Sequence, residues 1–130
     1  MPSHADEIVY GIIGKWSAGF RKLDAEALAS LYSREAFFFG SNPNLYRGRK
    51  SIAAYFNGLP RWETPSVQFG DVRIAKVSSE LINMAGKASF FLDGEASALS
   101  VKITWTIVRE DGDWKIASHH VSSYTPLIER

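Results

Sequence analysis

The chain has 130 residues, a formal charge of +1, 45% hydrophobic and 22% charged residues, and no Cys. The balanced charge argues against a strongly basic nucleic-acid surface, and the missing Cys excludes disulfides, a thiolate nucleophile and Cys-ligated metal. The length is that of one domain, long enough to bury roughly two-thirds of its unfolded surface.

Taken in chain order, the start carries Asp6 and Glu7 where a secretory signal would carry Lys or Arg. No run approaches the roughly 18 to 20 apolar residues of a membrane span, so a cytoplasmic protein with no membrane partner is the default expectation. Ser3 with Asp6 resembles a capping box that opens a first helix. Ile8, Ile12, Trp16 and Phe20 recur every four residues, with Val9 and Ile13 beside them. Arg21 and Lys22 suit the negative end of that helix. Asp24 is a good N-cap for a short second helix with Leu28, Leu31 and Tyr32 on one face. Phe37, Phe38 and Phe39 form a short strand that stops at Gly40-Ser41-Asn42-Pro43. A third helix follows Gly48, with Ile52, Tyr55, Phe56 and Leu59 on its apolar face and Pro60 at its end. Trp62 lies in the loop between Pro60 and Pro65.

After Ser66 the period becomes two. Val67 and Phe69 alternate, then Val72 and Ile74 alternate on the opposite parity, which predicts a β-bulge at Gly70 and Asp71. Ile82, Met84, Ala88, Phe90 and Leu92 line the next strand, closed by Asp93-Gly94. Leu99, Val101, Ile103, Trp105 and Ile107 line another, with Lys102, Thr104 and Thr106 opposite. Asp111-Gly112 signals a hairpin, and the last strand runs from about Trp114 to Tyr124. Helices followed by long strands joined through tight turns predict an α+β domain over residues 1–130, with three N-terminal helices packed on a curved antiparallel sheet around a pocket.

At the final hairpin the residues meet a known pattern. The segment REDGDWKIASHHVSS resembles the last strands of the nuclear transport factor 2-like superfamily, also called SnoaL-like or ketosteroid isomerase-like. It is most similar to small bacterial relatives of the calcium/calmodulin-dependent protein kinase II association domain. FRKLDAEALASLYSREAFFF and YRGRKSIAAYF fit the same pattern in order. The resemblance implies a cone-shaped fold with an internal pocket and a homodimer formed through the open sheet. The steroid isomerases place a Tyr on the first helix, an Asp base after the first strand and a second acid on the third long strand. Here these fall on Trp16, on Gly40 and near Ile103 or Thr104, so the resemblance does not carry steroid isomerase chemistry. The association-domain relatives place an H-x-H-x-S pattern on the last strand, which falls here on Ser118, His120 and Ser122. Their pocket Arg falls near Trp105, which implies a more apolar pocket.

The aromatic content, 13% of the chain, either lines a cavity or packs the core. The candidate ligand-binding set is Trp16, Tyr32, Phe37, Phe39, Tyr55, Trp62, Trp105, His120 and Ser122. Trp62 and Tyr55 suit a pocket mouth. His119 and His120 must point to opposite faces of a strand. Shared parity with Trp114 and Ile116 favours His120 inward, as a general base or hydrogen-bond donor, or else as a histidine satisfied by its neighbours. His4 is too remote to complete a metal site with it, so neither metal nor cofactor is expected. Arg47, Arg49 and Lys50 read as a solvated face.

Three functions stay open. The first is a binding domain for a small hydrophobic molecule. The second is a dehydratase, isomerase or cyclase with His120 as catalytic base. The third is an oligomerisation module with no pocket function.

Overall fold

A computed structural model describes residues 3–93 and 98–129. Gly94, half of the predicted Asp93-Gly94 turn, lies outside the described residues. Three helices come first: α1 (His4–Arg21), α2 (Ala25–Ala29) and α3 (Gly48–Asn57). Six strands complete the fold: β1 (Tyr32–Phe39), β2 (Leu45–Arg47), β3 (Ser66–Ser78), β4 (Leu81–Phe91), β5 (Leu99–Glu110) and β6 (Asp113–Ser122). They form one sheet in the order β2-β1-β6-β5-β4-β3.

The helix starts follow the local chemistry. Ser3 accepts from the Asp6 amide while the Asp6 carboxylate accepts from the Ser3 amide, which satisfies two otherwise orphaned donors. Asp24 accepts from the Ala27 amide at the start of α2. Along α1 the buried stripe is Ala5, Val9, Ile12, Trp16, Gly19 and Phe20, the face that meets the sheet.

The sheet departs from the expected antiparallel arrangement at one place. β1 pairs with β6 in parallel, because β1 enters the sheet before the β3–β5 meander is made and β6 returns alongside it. The short β2, not anticipated from sequence, pairs antiparallel with the outer edge of β1.

The register shifts at four places among the described residues, Tyr32/Phe37 in β1 and Lys76/Ser78 in β3 being two of them, and the other two are single-residue bulges. In β3 the register moves from Gly70↔Lys87 to Arg73↔Ala85, so one residue is extra there, and Asp71 takes a φ of 48°. This is the predicted bulge, and it bends the strand over α1. In β6 the register moves from Ile107↔Ile116 to Thr106↔Ser118, so Ala117 is extra. That second bulge has no mark in the sequence. At the β5–β6 turn both Asp111 (φ 53°) and Gly112 (φ 84°) are left-handed, as a tight two-residue hairpin requires.

Candidate functional site

A cavity of about 430 Å³ opens between α1, α3 and the inner face of the sheet. Its walls come from Trp16 and Phe20 of α1, Phe38 of β1, Tyr55 and Phe56 of α3, Trp62 of the loop, and Phe90, Val101, His119 and Val121 of the sheet. Among the described residues that line it, none is charged. Such a wall suits apolar surface, and an unpaired charge would lose its hydration there without compensation.

The inward histidine is His119, which is 3% exposed, and not His120, which is exposed. The expected inward His120 is thus corrected, and the bulge at Ala117 is the reason. Continued unbroken from the hairpin, the register would set Ser118 opposite Trp105 and His120 opposite Ile103. The extra residue sets His119 opposite Trp105 and His120 opposite Thr104 instead. One inserted residue exchanges the faces of everything beyond it.

The same pleat corrects two further expectations. β1 pairs Phe38 with His119 and Phe39 with His120, so Phe38 faces the cavity and its neighbours do not. Phe37 is 48% exposed beneath the Arg47 guanidinium, 5.6 Å from its ring centre. Phe39 lies against the His120 ring on the outer face, centroids 5.2 Å apart. Trp16, Tyr55, Trp62 and Ser122 do line the cavity. Tyr32 and Trp105 stand behind its wall, both essentially without exposure. Phe38 and His119 are the residues that sequence reasoning missed. Neither carries a local signal: Phe38 stands between two further phenylalanines in a strand whose register shifts between Tyr32 and Phe37, and His119 stands beside a second histidine.

Tyr32 and Trp105 hold His119 from behind. The Trp16 indole N–H donates to the Tyr32 hydroxyl at 2.9 Å. The Tyr32 hydroxyl lies 2.9 Å from His119 Nδ1, and the Trp105 indole N–H donates to that same nitrogen at 2.9 Å. The imidazole stacks on Phe38, centroids 4.1 Å apart and planes 22° off parallel. Burial, with a smaller contribution from nearby His120, pushes the His119 pKa down to about 3. Burial likewise pushes the Tyr32 hydroxyl far above its ordinary value, against the opposing hydrogen bond from Trp16. At neutral pH the whole chain of groups is uncharged.

The mouth is also built from specific contacts. The Tyr55 hydroxyl accepts from the Ser41 amide at 2.9 Å and shares a hydrogen bond with Ser41 Oγ at 2.7 Å. A Cβ on Gly40 would come within 2.6 Å of both the Phe38 ring and the Tyr55 hydroxyl. A side chain at the place where the resemblance would set a carboxylate base would therefore have to displace the Phe38 and Tyr55 rings. Arg61 donates to the carbonyl oxygen of Phe56 at 2.9 Å, and Asp93 accepts from the amides of Glu63 and Thr64. These contacts hold the Trp62 loop from both sides. Arg49, expected on a solvated face, instead donates to the Tyr32 carbonyl oxygen at 2.7 Å and pairs with Glu110 at 3.1 Å.

Three helices on a curved six-stranded sheet, enclosing an aromatic cavity, define the pocket-bearing cone-shaped α+β class. The chain belongs to the SnoaL-like domain family, which matches residues 9–126. No curated protein matches it. Among solved structures it is similar to a Xanthomonas campestris protein provisionally named a calcium/calmodulin-dependent protein kinase II association domain. That pair has 21% identity and a TM-score of 0.84, covering 98% of this chain and 91% of the other. It is also similar to an NTF2-like protein with a cystatin-like fold from Novosphingobium aromaticivorans, at 18% identity and TM-score 0.81, covering 92% and 82%. A provisionally named scytalone dehydratase from the same organism matches at 18% identity and TM-score 0.78, covering 92% and 83%. At these identities the likeness is one of fold. Among the described residues no helix is long and apolar enough to cross a membrane.

Proposed function

We propose that this domain binds a small, neutral, largely apolar molecule in the cavity between α1, α3 and the sheet. The observation that carries this reading is an open cavity of about 430 Å³ whose described lining is aromatic and aliphatic, with no charged side chain and one buried imidazole. The volume is in the range of small-ligand sites, and the few polar groups suffice to orient a ligand. A base-catalysed reaction is the weaker reading, since His120 faces away from the cavity and burial pushes the His119 pKa down to about 3, which leaves it a weak base at neutral pH.

A thermal-shift screen of neutral aromatic and alicyclic compounds, beside matched carboxylates and amines, tests the proposal. A ligand at 100 times its dissociation constant adds about 2.7 kcal/mol, enough to raise the midpoint by several degrees. Stabilisation by neutral compounds that is lost in Val101→Trp, which fills the cavity, is the expected result. Hits confined to carboxylates or amines would overturn it.

We further propose that the domain forms a homodimer through the outer face of the sheet. Arg73, Asn83, Thr104 and Thr106 line a shallow depression on this uncovered, mildly polar face. Sedimentation at micromolar concentration should give twice the chain mass; a monomer would refute the dimer and leave the pocket reading intact.

A further inference from the structure

We propose that the Nε2–H of His119 is a fixed, uncharged hydrogen-bond donor that selects, among neutral apolar molecules, those carrying a carbonyl-type acceptor. The proposal rests on the pocket reading above and names the class of ligand that the pocket takes.

Three neighbours decide where the ring proton sits. An indole N–H can only donate. Trp105 aims its N–H at Nδ1, so Nδ1 must offer its lone pair. Trp16 aims its N–H at the Tyr32 oxygen, so the Tyr32 proton is free to go forward to Nδ1 as well. A proton on Nδ1 would collide with the Trp105 N–H, which can only donate. The neutral ring therefore carries its proton on Nε2.

Nε2 meets the cavity. It makes no hydrogen bond to the described residues, yet among them no fully buried side-chain nitrogen or oxygen lacks a partner. Nε2 therefore retains accessible surface, and His119 is part of the cavity wall. A donor facing an apolar cavity is costly to cover with hydrocarbon and is satisfied by an acceptor. The stack on Phe38 and the two bonds to Nδ1 hold the ring in place, so the donor direction is set before any ligand arrives. A carboxylate would find no cation among the described lining residues. An ammonium group would offer Nε2–H nothing to accept with.

The experiment has two parts. In the His4→Gln/His120→Gln double variant, His119 is the only histidine, and both replaced rings are exposed. A long-range proton–nitrogen spectrum of that ring should show one neutral Nε2–H tautomer from about pH 5 to about pH 8. An Nδ1–H tautomer or a protonated ring would overturn the inference whatever binds. The same variant is then titrated with 1-tetralone and with tetralin, which share a shape and differ by the carbonyl. The ketone should bind at least about tenfold tighter and shift the Nε2–H signal, which tetralin leaves in place. His119→Phe should erase the preference where it folds. Equal affinities with an unmoved signal would sink the donor and leave the pocket standing. No binding of either probe would remove the pocket reading and this inference together.

Discussion

His119 and His120 are neighbours on β6, and the two faces they occupy differ in nearly every physical respect. On the inner face His119 is 3% exposed, stacked on Phe38 and given two hydrogen bonds by donors that are themselves buried. On the outer face His120 is exposed, with its ring beside Phe39 and its backbone opposite Thr104. One imidazole is a structural acceptor and a cavity donor, while the other is a surface side chain. The residue type is the same, so the surroundings alone separate them, and one extra residue at Ala117 assigns the surroundings. In a sheet, register decides which of two adjacent groups acquires chemistry.

The comparison can be broken most directly by removing the inner ring. His119→Leu keeps the volume roughly but strands the Trp105 N–H and the Tyr32 hydroxyl, two buried donors aimed at one lost acceptor. We expect a loss of about 3–5 kcal/mol in urea unfolding. A loss below about 1 kcal/mol would mean that the network does not hold the inner face together.

Tyr32→Phe tests the next link. It leaves His119 its bond from Trp105 but deprives the buried Trp16 N–H of its acceptor, at a cost of about 1–3 kcal/mol. The same unfolding measurement reads it, and near-wild-type stability would show that water replaces the hydroxyl.

Acid separates the faces more gently. Burial above all holds His119 at about 3 against an ordinary 6.5. Between those values the unfolded chain binds a proton that the native ring refuses. Stability is therefore complete above the ordinary value and declines as pH falls through the window toward the native one. The slope from this group is at most about 1.4 kcal/mol per pH unit. Between about pH 6 and pH 5, wild type should lose about 1 kcal/mol more than His119→Leu, which lacks the group. Parallel pH profiles would show a ring that is protonated in the native state.

The smallest effect belongs to the outer face. His120→Ala should change stability by less than about 0.5 kcal/mol, since an exposed ring gives up little beyond its contact with Phe39. An effect as large as that of His119→Leu would erase the distinction between the two faces.

Much of the fold was legible because its signals are local. The Ser3–Asp6 box, the Asp24 cap and the Asp111-Gly112 hairpin each depend on a few neighbouring residues whose side chains or φ angles have one good use. The bulge at Gly70 and Asp71 was legible for a different reason: apolar residues change parity on its two sides, so the pattern itself records the extra residue. Around Ala117 the pattern records nothing. Ala117 and Ser118 suit either face, and two consecutive histidines suit either phase. Phe37, Phe38 and Phe39 conceal the pleat in the same way, since three identical residues have no parity. The edge strand β2 was missed because three residues after a turn cluster carry too little periodicity to read.

By itself, the sequence determined an α+β domain whose aromatic residues converge between helices and a bent sheet, because periodicity and turn chemistry act over a few residues at a time. Only the tertiary structure decided which histidine lines the cavity and which phenylalanine supports it. Those choices depend on partners far apart in the chain, with Trp16, Tyr32 and Trp105 meeting at one imidazole. Long-range pairing with a single bulge sets that meeting point, and no local pattern encodes it.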